Sequence, residues 1–232
     1  RYGFAPSEIT QLVEELHAIT NCNICSVFSH LVGSDDPQFD AFTEQQISTF
    51  VQSSSHICSQ FSYPILRHIL NSAGIERFST YQFDMVRLGI GLYGISATHE
   101  NNCMHISTLK TFISEIRTMP AGTTVGYSRK GSVQRNSRIG VLPIGYADGL
   151  NRKLSNGVGT VIVNDREVPI IGNICMDATM IDLTDVDAEI GDEVILFGKD
   201  LPITRMAETL GTIPYEIITS VSRRVKRLYY FE

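Results

Sequence analysis

The chain has 232 residues, of which 43% are hydrophobic, so it is large enough for one or two globular domains. Its formal net charge is −6, and its basic residues lie among acidic ones. This composition argues against a nucleic-acid partner, which needs a clustered basic face. No apolar run approaches the ~20 residues that span a membrane, and no secretory signal pattern is present, so we expect a cytoplasmic protein.

The cysteines and the one basic cluster have ordinary structural interpretations. The five cysteines are odd in number and irregularly spaced, which argues against a disulfide framework. Cys22 and Cys25 form a Cys-x-x-Cys pair, but without a second pair this is weak evidence for zinc, and we predict no metal site. The basic cluster at residues 223–227 is interpreted as a solvated face.

Residues 1–98 alternate helix and strand signals. The first signals in chain order are a helix capped by Ser7 with Ile9, Leu12, Val13 and Leu16 on one face, and a buried strand at 24–31 ending at His30. A second amphipathic stretch with Phe42, Ile47, Phe50 and Val51 follows, then a short segment at 67–72 and an apolar strand at 85–93. Such alternation predicts parallel βα units. Only about three units fit, too few to close a barrel.

Residues 104–232 show a different pattern and predict an all-β domain, with the boundary at 98–104. The predicted strands are 111–117, 138–143, 159–163, 168–171, 179–182 and 193–197. Asn164-Asp165 predicts a tight hairpin. Thr204 and Gly211 predict the start and end of a helix, and Pro214 the first turn of another.

Two segments of the first region are hard to explain by folding alone. Arg87 lies inside an apolar strand and is followed by Gly89 and Gly91, which would allow a ligand close to the backbone. A structural ion pair at a strand end explains Arg87 equally well. The turn that begins at Asn71-Ser72 resembles a phosphate-binding turn, although such clusters usually mark plain turns.

Three segments of the second region place unusual residues at turns. Tyr127 and Tyr146 each follow a glycine directly, and Tyr215 stands at a predicted helix start. Cys-Met-Asp at 175–177 interrupts two strands. Each single tyrosine is more simply explained as a packing residue with a bonded hydroxyl.

Together these segments resemble the alanine racemase family, in order and across nearly the whole chain. The specific motifs are Asp-Met-Val-Arg-Leu-Gly-Ile at 84–90, Gly-Tyr-Ala-Asp-Gly at 145–149 and Ile-Cys-Met-Asp at 174–177. The resemblance implies the last three or so βα units of a pyridoxal-phosphate-binding (β/α)8 barrel at 1–98, followed by a β-barrel-like domain at 104–232. It also implies a homodimer whose active site is shared across the interface.

The resemblance assigns cofactor-binding roles residue by residue. Arg87 matches the arginine at the pyridine nitrogen of pyridoxal phosphate. Because arginine is essentially never an acid at neutral pH, it would leave that nitrogen unprotonated. The other cofactor-binding matches are Asn71, Ser72, Gly89, Ile90 and Tyr215. His30 matches a histidine that links the arginine to a catalytic tyrosine.

That tyrosine corresponds to Tyr127, the base on one face of the substrate, supplied by the partner subunit. A tyrosine with its ordinary pKa near 10 is a poor base at pH 7, so we expect the chain through His30 and Arg87 to favour its anion. The residues that match substrate-binding positions are Arg1, Tyr146, Cys175, Met176 and Asp177.

The resemblance implies interconversion of L- and D-alanine for cell-wall precursor supply. It also implies a cofactor lysine, yet none of the five lysines lies in a segment resembling the family's lysine strand. We therefore expect this sequence to be an incomplete fragment, inactive and without cofactor on its own. The alternatives are a catalytically inactive racemase-like domain, a serine racemase, or a related decarboxylase, against which Arg87 argues because those enzymes place a carboxylate at the pyridine nitrogen.

Overall fold

The chain divides into two compact units, Arg1–Met104 and His105–Glu232. The structure, a computed structural model, describes residues 2–98 and 103–230. The predicted domain boundary at 98–104 falls largely outside these residues and stays a prediction. Within the described ranges, no helix is long and apolar enough to cross a membrane, and no His, Cys, Asp and Glu side chains group as a metal site would require.

The first unit is built from helices and a parallel pair of short strands. Its elements are α1 (Ile9–Ala18), β1 (Ser26–Phe28), α2 (Asp40–Ser59), β2 (Leu66–His68) and α3 (Ser72–Arg77). The strands β1 and β2 pair in parallel, with Phe28 opposite His68. Parallel pairing, as predicted, brings the carboxyl ends of both strands to the same edge.

The long helix α2 supplies the core under these strands. Its buried residues Ile47, Phe50 and Ile57 recur at helical spacing, so one face of the helix is buried along its length. Ile47 and Phe50 pack with Ile69 and Leu70, just beyond β2. Each buried side chain of this size contributes about 1.5–3 kcal/mol, enough to fix the ends of β1 and β2.

Some predictions for the first unit are wrong in detail. Ser7 does not cap α1, because Pro6 starts a 3-10 turn at 6–8 and the helix begins after Glu8. Phe42 on α2 is exposed.

The predicted strand at 85–93 does not form either. Phe83 adopts a positive φ of 51°, and the Asp84 carboxylate takes the N–H of Arg67. Residues 84–87 therefore run beside β2 without a continuous ladder.

The second unit is a set of antiparallel sheets with two helices near its end. Its elements are β3 (Leu109–Phe112), β4 (Glu115–Met119), β5 (Thr124–Val125), β6 (Gly131–Ser132), β7 (Ser137–Leu142), β8 (Thr160–Val163), β9 (Arg166–Pro169), β10 (Thr179–Asp182), β11 (Glu193–Phe197), α4 (Ile203–Leu210) and α5 (Pro214–Ser220). The sheet orders are β10-β7-β4, β3-β11-β8-β9 and β5-β6. This confirms the β-rich character predicted for the region.

The turn predictions of the second unit are mostly confirmed. Asn164 and Asp165 adopt φ of 48° and 61° in the β8–β9 hairpin, Gly211 ends α4 at φ 66°, and Pro214 begins α5. Thr204 is not a cap, because α4 starts directly after Pro202.

The strand predicted at 111–117 is in fact two strands in different sheets. The break falls at Ile113-Ser114, where one N–H bonds to Asp192 and the next to Val141. A continuous β-rich run in the sequence does not reveal such a change of sheet. The short strands β5 and β6 were not predicted.

We expect residues 105–232, produced alone, to unfold in one cooperative thermal transition. This unit has its own core, in which Leu142, Ile181, Leu183 and Leu196 are fully buried. Cooperative unfolding is the usual behaviour of a single domain of this size. Coincident transitions by circular dichroism and calorimetry would confirm the expectation, whereas a broad, gradual loss of signal would contradict it.

Candidate active site

Arg87 is the centre of a hydrogen-bond cluster at the carboxyl ends of β1 and β2. Its Nη2 donates to the carbonyl oxygens of Ser29 at 2.7 Å and Ile69 at 3.1 Å. Its Nη1 lies 3.1 Å from Nδ1 of His68, and its Nη2 lies 3.2 Å from Nδ1 of His30. Parallel pairing of the strands brings these two histidines to one guanidinium.

The contact with Nη1 indicates the state of the His68 imidazole. A guanidinium only donates, so Nδ1 of His68 accepts and the ring proton lies on Nε2. Burial, and then the charge of Arg87, lower the pKa of His68. Burial also lowers the pKa of Arg87, which still remains a cation at neutral pH.

The Nε of Arg87 makes no hydrogen bond with any residue in the described ranges 2–98 and 103–230. It is therefore a charged donor fixed in place by its own Nη atoms and available to an acceptor. Phe28 covers the guanidinium at 5.1 Å from its ring centre, which limits how far the group can shift. Among the ion pairs of the described residues none involves Arg87, whose partners there are histidines and carbonyls.

A second cluster forms around Ser72, which is 3% exposed. Its Oγ accepts the N–H of Gly89 at 2.9 Å and that of Gly91 at 3.3 Å. A Cβ on Gly91 would meet the Leu88 side chain at 2.8 Å and approach the Ser72 hydroxyl to 3.7 Å. Two backbone N–H groups thus converge on one hydroxyl, with no side chain at Gly91 to crowd it, and this arrangement suits a phosphate.

The side chain of Asn71 holds this turn through three hydrogen bonds. Its Oδ1 accepts the Gly74 N–H and the Ser34 hydroxyl, each at 2.9 Å, and its Nδ2 donates to the Leu31 carbonyl at 3.2 Å. Its amide is thus occupied within the protein, and its predicted contact with the cofactor stays a prediction. Ile90 follows Gly89 at the start of the 3-10 turn 90–93.

In the second unit, two motifs of the sequence pack against each other. The N–H groups of Tyr146 and Ala147 donate to the carbonyl oxygens of Cys175 and Met176, both at 3.0 Å. A Cβ on Gly145 would lie within 2.4 Å of both those oxygens, so only glycine fits there. Tyr146 and Met176 are thereby held side by side, and the N–H of Met176 has no acceptor among the described residues.

Arg224 clamps the same two turns together. Its Nε donates to Asp148 at 2.7 Å, and its Nη2 donates to Asp177. The second oxygen of Asp148 accepts the N–H of Gly145 at 2.9 Å. Arg223, Arg224, Lys226 and Arg227 are all exposed, as predicted for a solvated face, and Arg224 in addition pairs with these two carboxylates.

Tyr127 lies in the turn between β5 and β6, with its side chain 70% exposed. Ser128 and Arg129 follow it with positive φ of 58° and 53°. The carbonyl of Tyr127 accepts the side-chain N–H of Asn173 at 2.9 Å. Tyr215 is the second residue of α5, and Arg1 lies outside the described residues.

Family profiles match both units. The profile "Alanine racemase, C-terminal domain" matches residues 106–229, more than half of the chain, and "Alanine racemase, N-terminal domain" matches residues 1–97. The chain belongs to the alanine racemase family. The resemblance seen in the sequence motifs is thus confirmed.

Named relatives agree with this assignment. The chain is 36% identical to "Alanine racemase 2" of Caldanaerobacter subterraneus, over 100% of this chain and 62% of that protein. It is 38% identical to "Alanine racemase" of Thermodesulfovibrio yellowstonii, over 96% of this chain and 60% of that protein. The chain therefore spans less than two thirds of these curated alanine racemases.

Solved structures of alanine racemases have the same fold. The Streptomyces lavendulae enzyme superposes with a TM-score of 0.91 at 28% identity, over 100% of this chain and 64% of that one. The Bartonella henselae enzyme "with covalently bound pyridoxal phosphate" gives 0.86 at 32% identity, over 99% and 63%.

Three residues of this family member were not predicted from its sequence: His68, Asn173 and Arg224. His68 could have been predicted from the sequence, because it lies at the end of β2, just as His30 lies shortly after the end of β1. Asn173 and Arg224 contact Tyr127 and Asp148 from 46 and 76 residues away, which no local pattern indicates.

We expect Asp148→Asn to destabilise the second unit by about 1–3 kcal/mol at neutral pH, because a charged acceptor of two donors is lost. Burial alone would raise the pKa of Asp148, but the hydrogen bonds from Arg224 and Gly145 hold it below its ordinary value. The stabilisation is therefore present above the unfolded pKa of about 3.9 and is lost as the pH falls through the folded pKa. Urea unfolding from neutral pH down to about pH 3 should show the unfolding free energies of the wild type and of Asp148→Asn converging. A difference in unfolding free energy that does not change with pH would contradict this expectation.

Proposed function

We propose that residues 1–232 form the C-terminal part of a pyridoxal-phosphate-dependent alanine racemase, which supplies D-alanine for cell-wall precursors. Arg87 carries the proposal, because its Nη atoms contact two histidines and two carbonyls while its charged Nε–H remains available. The membership in the alanine racemase family supports it.

The proposed architecture follows the family. The first unit contributes the last three or so βα units of the (β/α)8 barrel, and the second contributes the β-barrel-like domain. The active protein is a cytoplasmic homodimer, and Tyr127, Tyr146 and Met176 act on the substrate held by the partner subunit.

The residues present fit the cofactor. The Arg87 Nε–H suits an aromatic ring nitrogen, and the hydroxyl and backbone N–H groups at Ser72, Gly89 and Ile90 suit a phosphate, with Tyr215 assigned to it by resemblance alone. Bound pyridoxal phosphate supplies an electron-withdrawing ring that makes the Cα hydrogen of an amino acid acidic. Arg87 cannot give up a proton at neutral pH, so it would hold the ring nitrogen by a hydrogen bond without protonating it.

The remaining residues handle the amino acid. Tyr127 takes or returns the Cα proton on one face. The N–H of Met176 binds the substrate carboxylate, and Tyr146, packed beside it, limits the space for the substrate side chain. His30 lies against Arg87 through Nδ1, so a proton on its Nε2 would be the donor that stabilises a tyrosine anion.

Activity assays of the full-length protein that contains residues 1–232 test the proposal. With pyridoxal phosphate, we expect L- and D-alanine to interconvert, serine to react more slowly, and no carbon dioxide to be released. Release of carbon dioxide would favour the decarboxylase. Tight binding of the cofactor without turnover of alanine or serine would favour an inactive domain.

We further expect the 232-residue chain alone to hold no cofactor covalently. All five lysines lie at residue 110 or beyond, and none belongs to a segment resembling the cofactor-lysine strand of the family. After incubation with pyridoxal phosphate, borohydride reduction and digestion, mass spectrometry should find only scattered, substoichiometric labelling. One lysine labelled stoichiometrically would contradict the expectation.

A further inference from the structure

Asn173 is a buried amide that the family motifs do not include. It directly precedes Ile-Cys-Met-Asp and is 8% exposed. Its Nδ2 donates to the carbonyl of Tyr127 at 2.9 Å, and its Oδ1 accepts from the side chain of Asn156 at 3.1 Å. Both ends of the amide are therefore used, and one of them reaches the proposed base.

The turn that carries Tyr127 needs such an anchor. Ser128 and Arg129 both adopt positive φ, a conformation that non-glycine residues keep only where surrounding contacts impose it. The side chain of Tyr127 is largely exposed, and the other polar contacts of the turn, Arg129 N–H to Gly126 and Arg129 Nε to Thr124, are local. Among the described residues, Asn173 is the side chain from a distant part of the sequence that hydrogen-bonds to the turn.

The backbone around Asn173 is itself fixed. A Cβ on Gly131 would lie 2.7 Å from the nitrogen of Gly172, so residues 172–173 pack directly on the β5–β6 turn. The N–H of Ile174 donates to the hydroxyl of Ser155 at 2.9 Å, and Met176 follows two residues later. The Tyr127 turn and the Met176 turn are thus joined through one short segment that packs and hydrogen-bonds at both ends.

We propose that Asn173 is a positioning residue that sets the place of Tyr127 relative to the Met176 turn. The proposal rests on the proposed function, in which Tyr127 moves the Cα proton and Met176 binds the carboxylate of the same substrate. Displacement of a reacting group by about 1 Å costs about 10²-fold in rate, so loss of the anchor should slow proton transfer more than it weakens substrate binding.

Limited trypsin digestion tests the anchor without any activity. Arg129 and Lys130 place two trypsin sites in the turn, and cleavage rates report how often a segment opens. In Asn173→Asp and Asn173→Ala, we expect cleavage there to be about 5-fold faster or more. Asn164→Asp is the matched control, because it also adds one charge and removes an amide donor, from a different turn.

The control should show wild-type cleavage at Arg129 and Lys130. Unchanged cleavage in both Asn173 variants, with melting temperatures near that of the wild type, would overturn the proposal. If Asn173→Asp fails to fold because of its buried charge, Asn173→Ala decides the result.

Kinetics of the full-length protein give the second test. We expect Asn173→Ala to lower kcat for alanine about 10–100-fold with KM changed little, and to slow Cα exchange from one enantiomer more than from the other. A parallel loss from both enantiomers, or a change in KM alone, would overturn the positioning role. If the wild-type protein does not racemise alanine, the proposed function fails, while the trypsin result still decides whether Asn173 anchors the turn.

Discussion

In the Tyr127→Phe variant of the full-length protein, kcat for alanine should fall about 10²–10⁴-fold in both directions, the typical contribution of a general acid–base group. Phenylalanine keeps the ring and removes only the hydroxyl that we propose moves the proton. Because the side chain is 70% exposed, the substitution should leave the stability of the second unit nearly unchanged.

Isotope exchange separates this role from simple packing. The resemblance assigns the other face of the substrate to the cofactor lysine, which stays intact in Tyr127→Phe. Exchange of the Cα hydrogen should therefore survive from one enantiomer more than from the other. Added pyridoxal phosphate should not restore the rate, because Tyr127 is not assigned to cofactor binding. Near-full activity, or equal loss of exchange from both enantiomers, would make Tyr127 a packing residue.

The Arg87→Met variant should show the second large effect, a fall in kcat/KM of about 10²–10³-fold. Methionine fills similar space but removes the charged donor, and loss of one preorganised donor typically costs this much. Arg67→Met is the matched control, since Arg67 also lies over an aromatic ring, that of Phe83, but belongs to neither cluster.

The same variant has a signature in histidine titration. Burial and the charge of Arg87 both lower the pKa of His68, so removing the charge should raise that pKa, with burial still holding it below its ordinary value. A histidine with a lowered folded pKa stabilises the fold above its unfolded pKa and loses that contribution as the pH falls through the folded one. The acid sensitivity due to His68 should therefore shrink in Arg87→Met. Unchanged histidine titration by NMR, together with unchanged kcat/KM, would show that Arg87 has no role in the active site.

The sequence predicted the features that depend on short-range chemistry. Gly211 ends its helix and Asn164-Asp165 turns its hairpin because a positive φ is needed there and these residues tolerate it. The family motifs fell on the two turns around Tyr146 and Met176 and on the Arg87 segment, because their spacing is local.

Features that depend on long-range pairing were not predicted. The change of sheet at Ile113 depends on which strands lie on either side, Asp192 in one sheet and Val141 in the other. The two interpretations of Arg87 could not be separated from the sequence, because its partners are histidines and carbonyls 18 to 58 residues away. Arg224 looked like an ordinary surface charge for the same reason.

Racemisation in D2O tests the central claim most directly. The full-length protein, with pyridoxal phosphate, is given L-alanine, and both enantiomers are analysed early by mass spectrometry. With Tyr127 as one of two bases on opposite faces, we expect D-alanine to form with deuterium at Cα while the remaining L-alanine keeps its hydrogen. D-alanine that retains the original hydrogen, or no D-alanine at all, would contradict the account.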